Sequence, residues 1–386
     1  MKIIKRIALT LATAFALLVA LTGCSGSTGK DSIRIALVGM QESSVLVEKY
    51  ETGMLMAAEE YNGAFGPIEI VVDNTAESDE QARAVLGRMT DDSSITAVVC
   101  LYSYDLTAES IWDMENAQKA FFAPQGYYTE LAVNSGETFF PFSLSAPHLG
   151  YSMGRYAVEH GLKKVGCFHS GTQPEIDQAT FFDSAAIYDG TRIVSSLSEP
   201  CTTRDISATY ATWQALDVDA VFVPYYNYYY SGADIVRDIQ KELPGLPILG
   251  SFSIDSDWTR EIALELDGVV IPAKYPIQKT SESEQWKSLF EQKYNDTPEN
   301  EHVQGYDIVN IIAQCHTGDA TELSSSIRSK ATTLTGVAGN TIRFLLSDNA
   351  IYPPEYGEEL ENDQMQPAYE YLTIREGKLL PLPGED

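Results

Sequence analysis

The sequence predicts an α/β protein built as two doubly wound parallel-sheet lobes. Three observations carry that prediction. The β-rich runs are continuous in apolar residues rather than alternating, which marks strands buried on both faces. Between them lie longer runs with apolar residues at helical spacing. This strand–helix alternation passes through the chain twice, each pass of ordinary domain length.

In the first pass, residues 33–39 (IRIALVG) are apolar but for Arg34 and a terminal glycine. Leu46, Tyr50, Gly53, Met54, Ala57, Ala58 and Tyr61 then recur at helical spacing. Residues 68–73 (IEIVVD) read as the second strand, followed by a helix over 77–89 and a strand over 95–100. A helix over 107–119 and a short strand over 120–124 close a βαβαβαβ series, the pattern of a parallel sheet with helices on both faces.

The alternation restarts after residues 140–143. Helices are expected over 150–160, 176–188, 206–216, 232–242 and 257–265. Strands are expected over 165–169, 192–197, 220–224, 247–250 and 268–271. Three more helices, over 282–294, 302–315 and around 321–330, are out of register with this second unit. They read as the chain returning to the first lobe.

The first two dozen residues read as an export signal. Lys2, Lys5 and Arg6 precede an apolar run from Ile7 to about Leu21, which ends in Leu21-Thr22-Gly23-Cys24. A basic start, a short apolar stretch and small residues at the cut describe a cleaved signal. The run is also shorter than the roughly 20 residues of a membrane-spanning helix. The pattern resembles the lipobox of bacterial lipoproteins, in which the cysteine becomes the acylated N-terminus. Cys24 is therefore expected to carry lipid, with the polar stretch 24–32 as a tether.

Removing residues 1–23 from 386 leaves 363, enough for two full cores. The chain holds 26 basic and 55 acidic residues, and losing the three signal cations takes the formal charge from −29 to −32. Such acidity repels phosphate backbones and anionic lipid. Nucleic acid is thus excluded as a partner, and attachment to a membrane falls to Cys24. Cys100, Cys167, Cys201 and Cys315 show no metal spacing and no CxxC, so neither a metal site nor an essential disulfide is expected.

In open α/β sheets ligands bind beyond the carboxyl ends of the strands. The loops there are 40–44 (MQESS), 101–105 (LYSYD) and 125–129 (QGYYT) in the first unit. In the second unit they are 169–175 (HSGTQPE), 225–230 (YYNYYY) and 251–255 (SFSID). Their tyrosines offer flat apolar faces with polar tips, suited to stacking and hydrogen-bonding a small ligand. Catalytic motifs are missing: no GxGxxG follows the first strand, and there is no P-loop, GxSxG or HExxH. Among the histidines, His160 reads as a helix end, His302 as exposed, and only His169 sits at a strand's carboxyl end. Without a paired nucleophile it reads as a ligand-bonding or structural group rather than a general base.

Over nearly all of the mature length, these residues resemble the type I periplasmic binding proteins of the branched-chain amino-acid and amide branch, which serve ABC importers. The resemblance is carried, in order, by IRIALVG and the helix ending AAEEYN, by IEIVVDNTAESDEQARAVLGRM, and by AVVCLYSYDLT and FFAPQGYYTEL. It continues through VDAVFVPYY, PILGSFS, LDGVVIPAKYP, GYDIVNII and LTGVAGNTIRF. It implies two lobes joined by three hinge crossings, near 143–146, near 274–277 and around 337–341. The first lobe would comprise 33–144 and 277–338, the second 145–276 and 339–386. It also implies a monomeric solute receptor without cofactor, which closes on a small molecule and is read by an importer permease.

The candidate ligand-contacting positions, from the strand-end loops and the resemblance together, are Gln41, Ser103, Tyr104, Gln125, Gly126, Tyr127, His169, Gln173, Tyr225, Tyr226, Phe252 and Asp255. Several depart from the family pattern. Amino-acid binders of this branch hold the ligand carboxylate with a Ser and a Thr, where this chain has Tyr104 (after Ser103) and Tyr127. They hold the ammonium with an acid, where this chain has Phe252 or Ser251. A zwitterion would lack partners for both charges, which is strongly disfavoured in a buried site. An uncharged or aromatic ligand fits better than an aliphatic amino acid, although Glu175 or Asp255 could still meet an ammonium. Two other functions remain open to the sequence: a sensor domain of the same fold serving a signalling partner, and a surface enzyme.

Overall fold

The computed structural model describes residues 32–102, 104–124, 136–198, 207–224, 232–251, 266–330, 334–339, 341–344, 349–352, 369–376 and 378–382. The expected export signal and Cys24 lie outside them, as does the expected helix over 257–265.

The first sheet contains β1 (Ile33–Met40), β2 (Ile68–Ala76), β3 (Ala97–Cys100), β4 (Ala120–Ala123) and β5 (Phe139–Pro141), in the order β2-β1-β3-β4-β5. Every neighbouring pair is parallel. Because successive side chains of a strand face opposite ways, Ile35 and Leu37 enter one core and Ala36 and Val38 the other. The second core is closed by α2 (Asp79–Asp91) and α3 (Tyr104–Asn116), through Val85, Leu86, Ile111 and Met114. The first is closed by α1 (Ser44–Glu60) and by helices from much later in the chain.

The second sheet has seven strands. They are β6 (Lys164–His169), β7 (Arg192–Ser198), β8 (Ala220–Phe222), β9 (Ile248–Leu249), β10 (Val270–Pro272), β14 (Tyr371–Arg375) and β15 (Lys378–Pro381), ordered β15-β14-β10-β9-β8-β6-β7. The five earlier strands are mutually parallel, whereas β14 and β15 add antiparallel at the β10 edge. Helices α4 (Ala146–Glu159) and α5 (Gln173–Ala186) cover one face around Met153, Phe182 and Phe222. Helices α6 (Ser207–Leu216) and α7 (Gly232–Glu242) cover the other, around Trp213, Ile235 and Ile239.

Helices α8 (Ser281–Tyr294), α9 (Asn300–Cys315) and α10 (Leu323–Ser329) pack in the same core as β1 and α1. The contact between α1 and α9 is close: a Cβ on Gly53 would strike the backbone of His302, and one on Gly305 would strike that of Tyr50. His302, expected to be exposed, is buried here. Its Nδ1 accepts the Glu299 N–H at 2.9 Å and its ring packs edge-on against Phe290. Capping of its own helix start and a stacking partner in α8 together draw this polar ring inside.

Two stretches lead from one sheet to the core of the other: residues 142–145, after β5, and residues 273–280, after β10. They are joined where the Leu144 N–H donates to the Lys274 carbonyl at 2.8 Å. Residues 337–339, where the resemblance implies a third crossing, instead lie at the turn of a hairpin. There β11 (Leu334–Thr335) pairs antiparallel with β12 (Thr341–Phe344), which pairs in turn with β13 (Asn349–Tyr352). Gly339, at φ +75°, turns the chain and donates its N–H to the Gly336 carbonyl at 3.1 Å. The segment that lies beside residues 273–277 is Tyr369–Glu370. The Glu370 carbonyl accepts the Ala273 N–H and its carboxylate the Ile277 N–H, both at 2.8 Å. Tyr369 packs against a core cluster of each sheet.

Candidate functional site

The carboxyl ends of adjacent strands form two rims. On the first sheet these are the ends of β1, β3 and β4. Gln41 begins a short 3-10 turn after β1 and is exposed. After β3, Leu101 and Tyr102 are buried, and the Tyr102 hydroxyl has no hydrogen-bond partner among the described residues. Burial raises the pKa of that phenol, so it remains a protonated hydroxyl. The turn is tied by Thr107, whose hydroxyl donates to the Tyr102 carbonyl at 3.4 Å. Tyr104 is the first residue of α3, which puts the Tyr104 backbone at the rim. β4 ends at Ala123, and Pro124 after it is also buried.

On the second sheet the adjacent ends are those of β6, β8 and β9. Cys167 lies opposite Phe222, and Phe222 opposite Leu249. Two residues further on, His169, Pro224 and Ser251 therefore form one terminal row. His169 is 9% exposed, and its Nδ1 has no partner among the described residues. Ser251 is fully buried, and its hydroxyl likewise has none among them. Buried polar atoms are nearly always bonded, so a row with two open valences is a place where polar atoms of a ligand can be accommodated.

The turn that follows His169 is held by Glu175. The Glu175 carboxylate, fully buried in the first turn of α5, accepts the Ser170 N–H and, at 2.8 Å, the Ser170 hydroxyl. Burial lowers the His169 pKa while the Glu175 charge opposes it, and burial prevails. The ring is thus a neutral imidazole at neutral pH, able to donate one hydrogen bond and accept another. Glu175, considered from the sequence as an ammonium partner, is committed to Ser170 instead. A buried acid can grip an adjacent strand-end turn in this way because the helix start brings it back over that turn. Gln173 is exposed at the start of α5, and its amide donates to Asp177 at 2.7 Å.

Ser103, Gln125, Gly126, Tyr127, Tyr225, Tyr226, Phe252 and Asp255 lie outside the described residues. The structure thus brings His169 together with Ser251 and Pro224 on one rim, and places Gln41 and the Tyr104 backbone on the other. The sequence reading placed Tyr102 in a strand-end loop but chose its neighbour Ser103 as the ligand contact, and it missed the bond from Glu175 to Ser170. The only signal for the latter was an acid six residues beyond a strand-end histidine.

Among the described residues no group of three or more His, Cys, Asp or Glu is arranged to hold a metal ion. Cys100, Cys167 and Cys315 are buried free thiols, and Cys201 lies outside the described residues. No helix among the described residues is long and apolar enough to cross a membrane.

The sequence profile described as "Periplasmic binding protein" matches residues 32–343. The chain belongs to the periplasmic binding protein family. No sequence among curated proteins matches it. Solved structures of similar fold include an ABC transporter substrate-binding protein from Desulfitobacterium hafniense in complex with Leu. It has TM-score 0.74 and 16% identity, over 91% of this chain and 100% of that one. A second is the branched-chain amino acid transporter substrate-binding protein LivJ from Streptococcus pneumoniae, in complex with isoleucine (TM-score 0.69, 17% identity, 91% and 99% covered). A third is an R. palustris ABC transporter solute binding protein in complex with benzoate (TM-score 0.68, 14% identity, 91% and 95% covered). At these identities the likeness establishes the type I periplasmic binding protein fold. The family is one of extracytoplasmic solute-binding proteins.

Proposed function

We propose that this chain is a monomeric, extracytoplasmic solute receptor, anchored by lipid on Cys24, which captures a small molecule between its lobes and presents it to an ABC importer permease. No residue is assigned a catalytic role, and no cofactor is required. The first lobe is taken as 33–144 with 277–338, and the second as 145–276 with the chain from Glu370 onward. The ligand is an aromatic or otherwise uncharged small molecule rather than a simple aliphatic amino acid.

The observation that carries this choice is the row His169–Pro224–Ser251. It offers a neutral imidazole and a hydroxyl where an amino-acid binder of this branch carries an acid. An ammonium placed there would lose its hydration to a row that itself carries no carboxylate. An aromatic ring with one hydrogen-bonding substituent would use the open Nδ1 and Oγ and stack on the tyrosines at 225 and 226 and at 104 and 127. Gln41, Ser103, Gln125, Gly126, Gln173, Phe252 and Asp255 complete the proposed contacts. The similar structures include both a leucine and a benzoate complex, so the fold itself does not choose between the two ligand classes.

Thermal-shift titration of the chain from Ser25 tests this directly, with benzoate, 4-hydroxybenzoate and benzamide against leucine and isoleucine. A ligand at 100 times its Kd stabilises by about 2.7 kcal/mol. A rise in Tm with an aromatic member, and none with leucine or isoleucine, is the expected result. Saturable shifts with leucine or isoleucine would overturn the assignment of the ligand class.

A further inference from the structure

Helix α9 carries Glu301, Gln304 and Asp307 at three-residue spacing, all buried. Each is bonded to chain that runs between the sheets. The Gln304 Nε2 donates to the Phe142 carbonyl at 2.5 Å, while its Oε1 accepts the Tyr50 hydroxyl at 2.6 Å. Glu301 pairs with Lys274 at 2.9 Å, both side chains less than a tenth exposed. Asp307 accepts the Tyr275 hydroxyl through Oδ2 and the Val337 N–H through Oδ1, each at 2.7 Å. A Cβ on Gly336 would collide with that carboxylate.

Lys274 and Tyr275 are consecutive residues of the stretch that leaves β10. That stretch also holds its two neighbours, through Leu144 N–H to the Lys274 carbonyl and Ala273 N–H to the Glu370 carbonyl. Fixing residues 274–275 to α9 therefore fixes all three strands of the connection. Stability alone does not explain such a ridge, because a buried ion pair is often matched or exceeded by apolar residues of similar volume. What directed bonds supply, and apolar packing does not, is a single relative placement of the groups they join.

We propose that Glu301, Gln304 and Asp307 are positioning residues for lobe closure. They make the crossings move with the first lobe and confine bending to the second-lobe side of Leu144, Ala273 and Glu370. This rests on the solute-receptor reading for its purpose, but its test needs no ligand. Spin labels are placed on Glu80→Cys in α2 and Gln214→Cys in α6, both exposed positions, in the ligand-free chain from Ser25 carrying Cys201→Ser. The three described native thiols are buried.

Pulsed dipolar spectroscopy then reads the distribution of distances between the lobes. Tyr275→Phe and Gln304→Leu are expected to broaden it relative to the parent. Ile312→Val, which loosens the same core without removing a bond to the crossings, is expected to lower Tm without broadening. Should Gln304→Leu fail to fold, Tyr275→Phe removes a single oxygen and carries the comparison. An unchanged distribution in folded Tyr275→Phe, or equal broadening by Ile312→Val, overturns the proposal. If no solute shifts Tm, the receptor reading fails while this measurement remains readable.

Discussion

Burial raises the carboxyl of Asp307 to about 6, against the opposing bonds from Tyr275 and the N–H groups of Val337 and Ala338. A folded pKa above the ordinary 3.8 favours the protonated acid. The stability from this group is thus complete below about pH 3.8 and lost as pH rises through 6, roughly 3 kcal/mol in all. Unfolding curves of Asp307→Asn should therefore gain on the parent between pH 4.5 and 7.5, and parallel curves would contradict the shift. His169 moves the other way: burial lowers its pKa and Glu175 opposes. Its contribution is present above the ordinary 6.5 and lost as pH falls through the folded value. Imidazole NMR should place its midpoint below 6.5, and a midpoint above that would mean the Glu175 charge outweighs burial. The sequence pointed to His169 because a strand end can be located from an apolar run. It did not point to Asp307 or His302, since both lie within a helical pattern and their burial depends on partners in other elements.

Two helices of the second sheet begin three or four residues before their apolar periodicity does. α4 starts at Ala146 and α5 at Gln173, rather than at 150 and 176, because Pro147 and Pro174 fit the first turn and Ser145 caps α4 by accepting the His148 N–H. Periodicity finds the buried face, whereas the cap sits on the exposed first turn. The three-residue β5 and the hairpin at 334–344 were not legible. The former is too short to show a period, and the latter was expected to be a crossing because the family resemblance implied one there. The packing of α1 on α9 gives an element-level prediction. Gly53→Ala should cost about 1–3 kcal/mol, because the methyl meets the backbone of the other helix. Gly87→Ala, exposed in α2 with nothing near its Cβ, should instead stabilise by about 0.5–1 kcal/mol. Chemical denaturation of both variants checks the pair, and a neutral Gly53→Ala would show that the helices can separate at little cost.

For the molecule as a whole, the alternation of buried strands and amphipathic helices was sufficient to read a two-sheet α/β protein. It also placed helices α8 to α10 with the first sheet, since they fall outside the second unit's register. The site was less legible, because its rim comes from loops that share position rather than pattern. Only the strand ends, not the side chains facing one another across a cleft, can be read from periodicity. The charge balance is legible from the sequence alone and has a consequence at this scale. With 26 basic against 55 acidic residues, the folded chain concentrates like charge. Opposing this are exposed pairs such as Arg34–Glu69 at 2.9 Å and Arg83–Glu109 at 2.5 Å. Exposed pairs are worth about 0–1 kcal/mol each and are screened by salt. The net repulsion is screened as well, over a Debye length of about 10 Å at 0.1 M ionic strength. Because the acidic excess outnumbers what such pairs can offset, Tm should rise as sodium chloride is increased from low to moderate concentration at pH 7.5. The buried Lys274–Glu301 pair lies behind protein and should respond little. A Tm that falls with salt would mean the surface pairs outweigh the repulsion, and that the acidic residues are arranged for local pairing rather than merely tolerated for solubility.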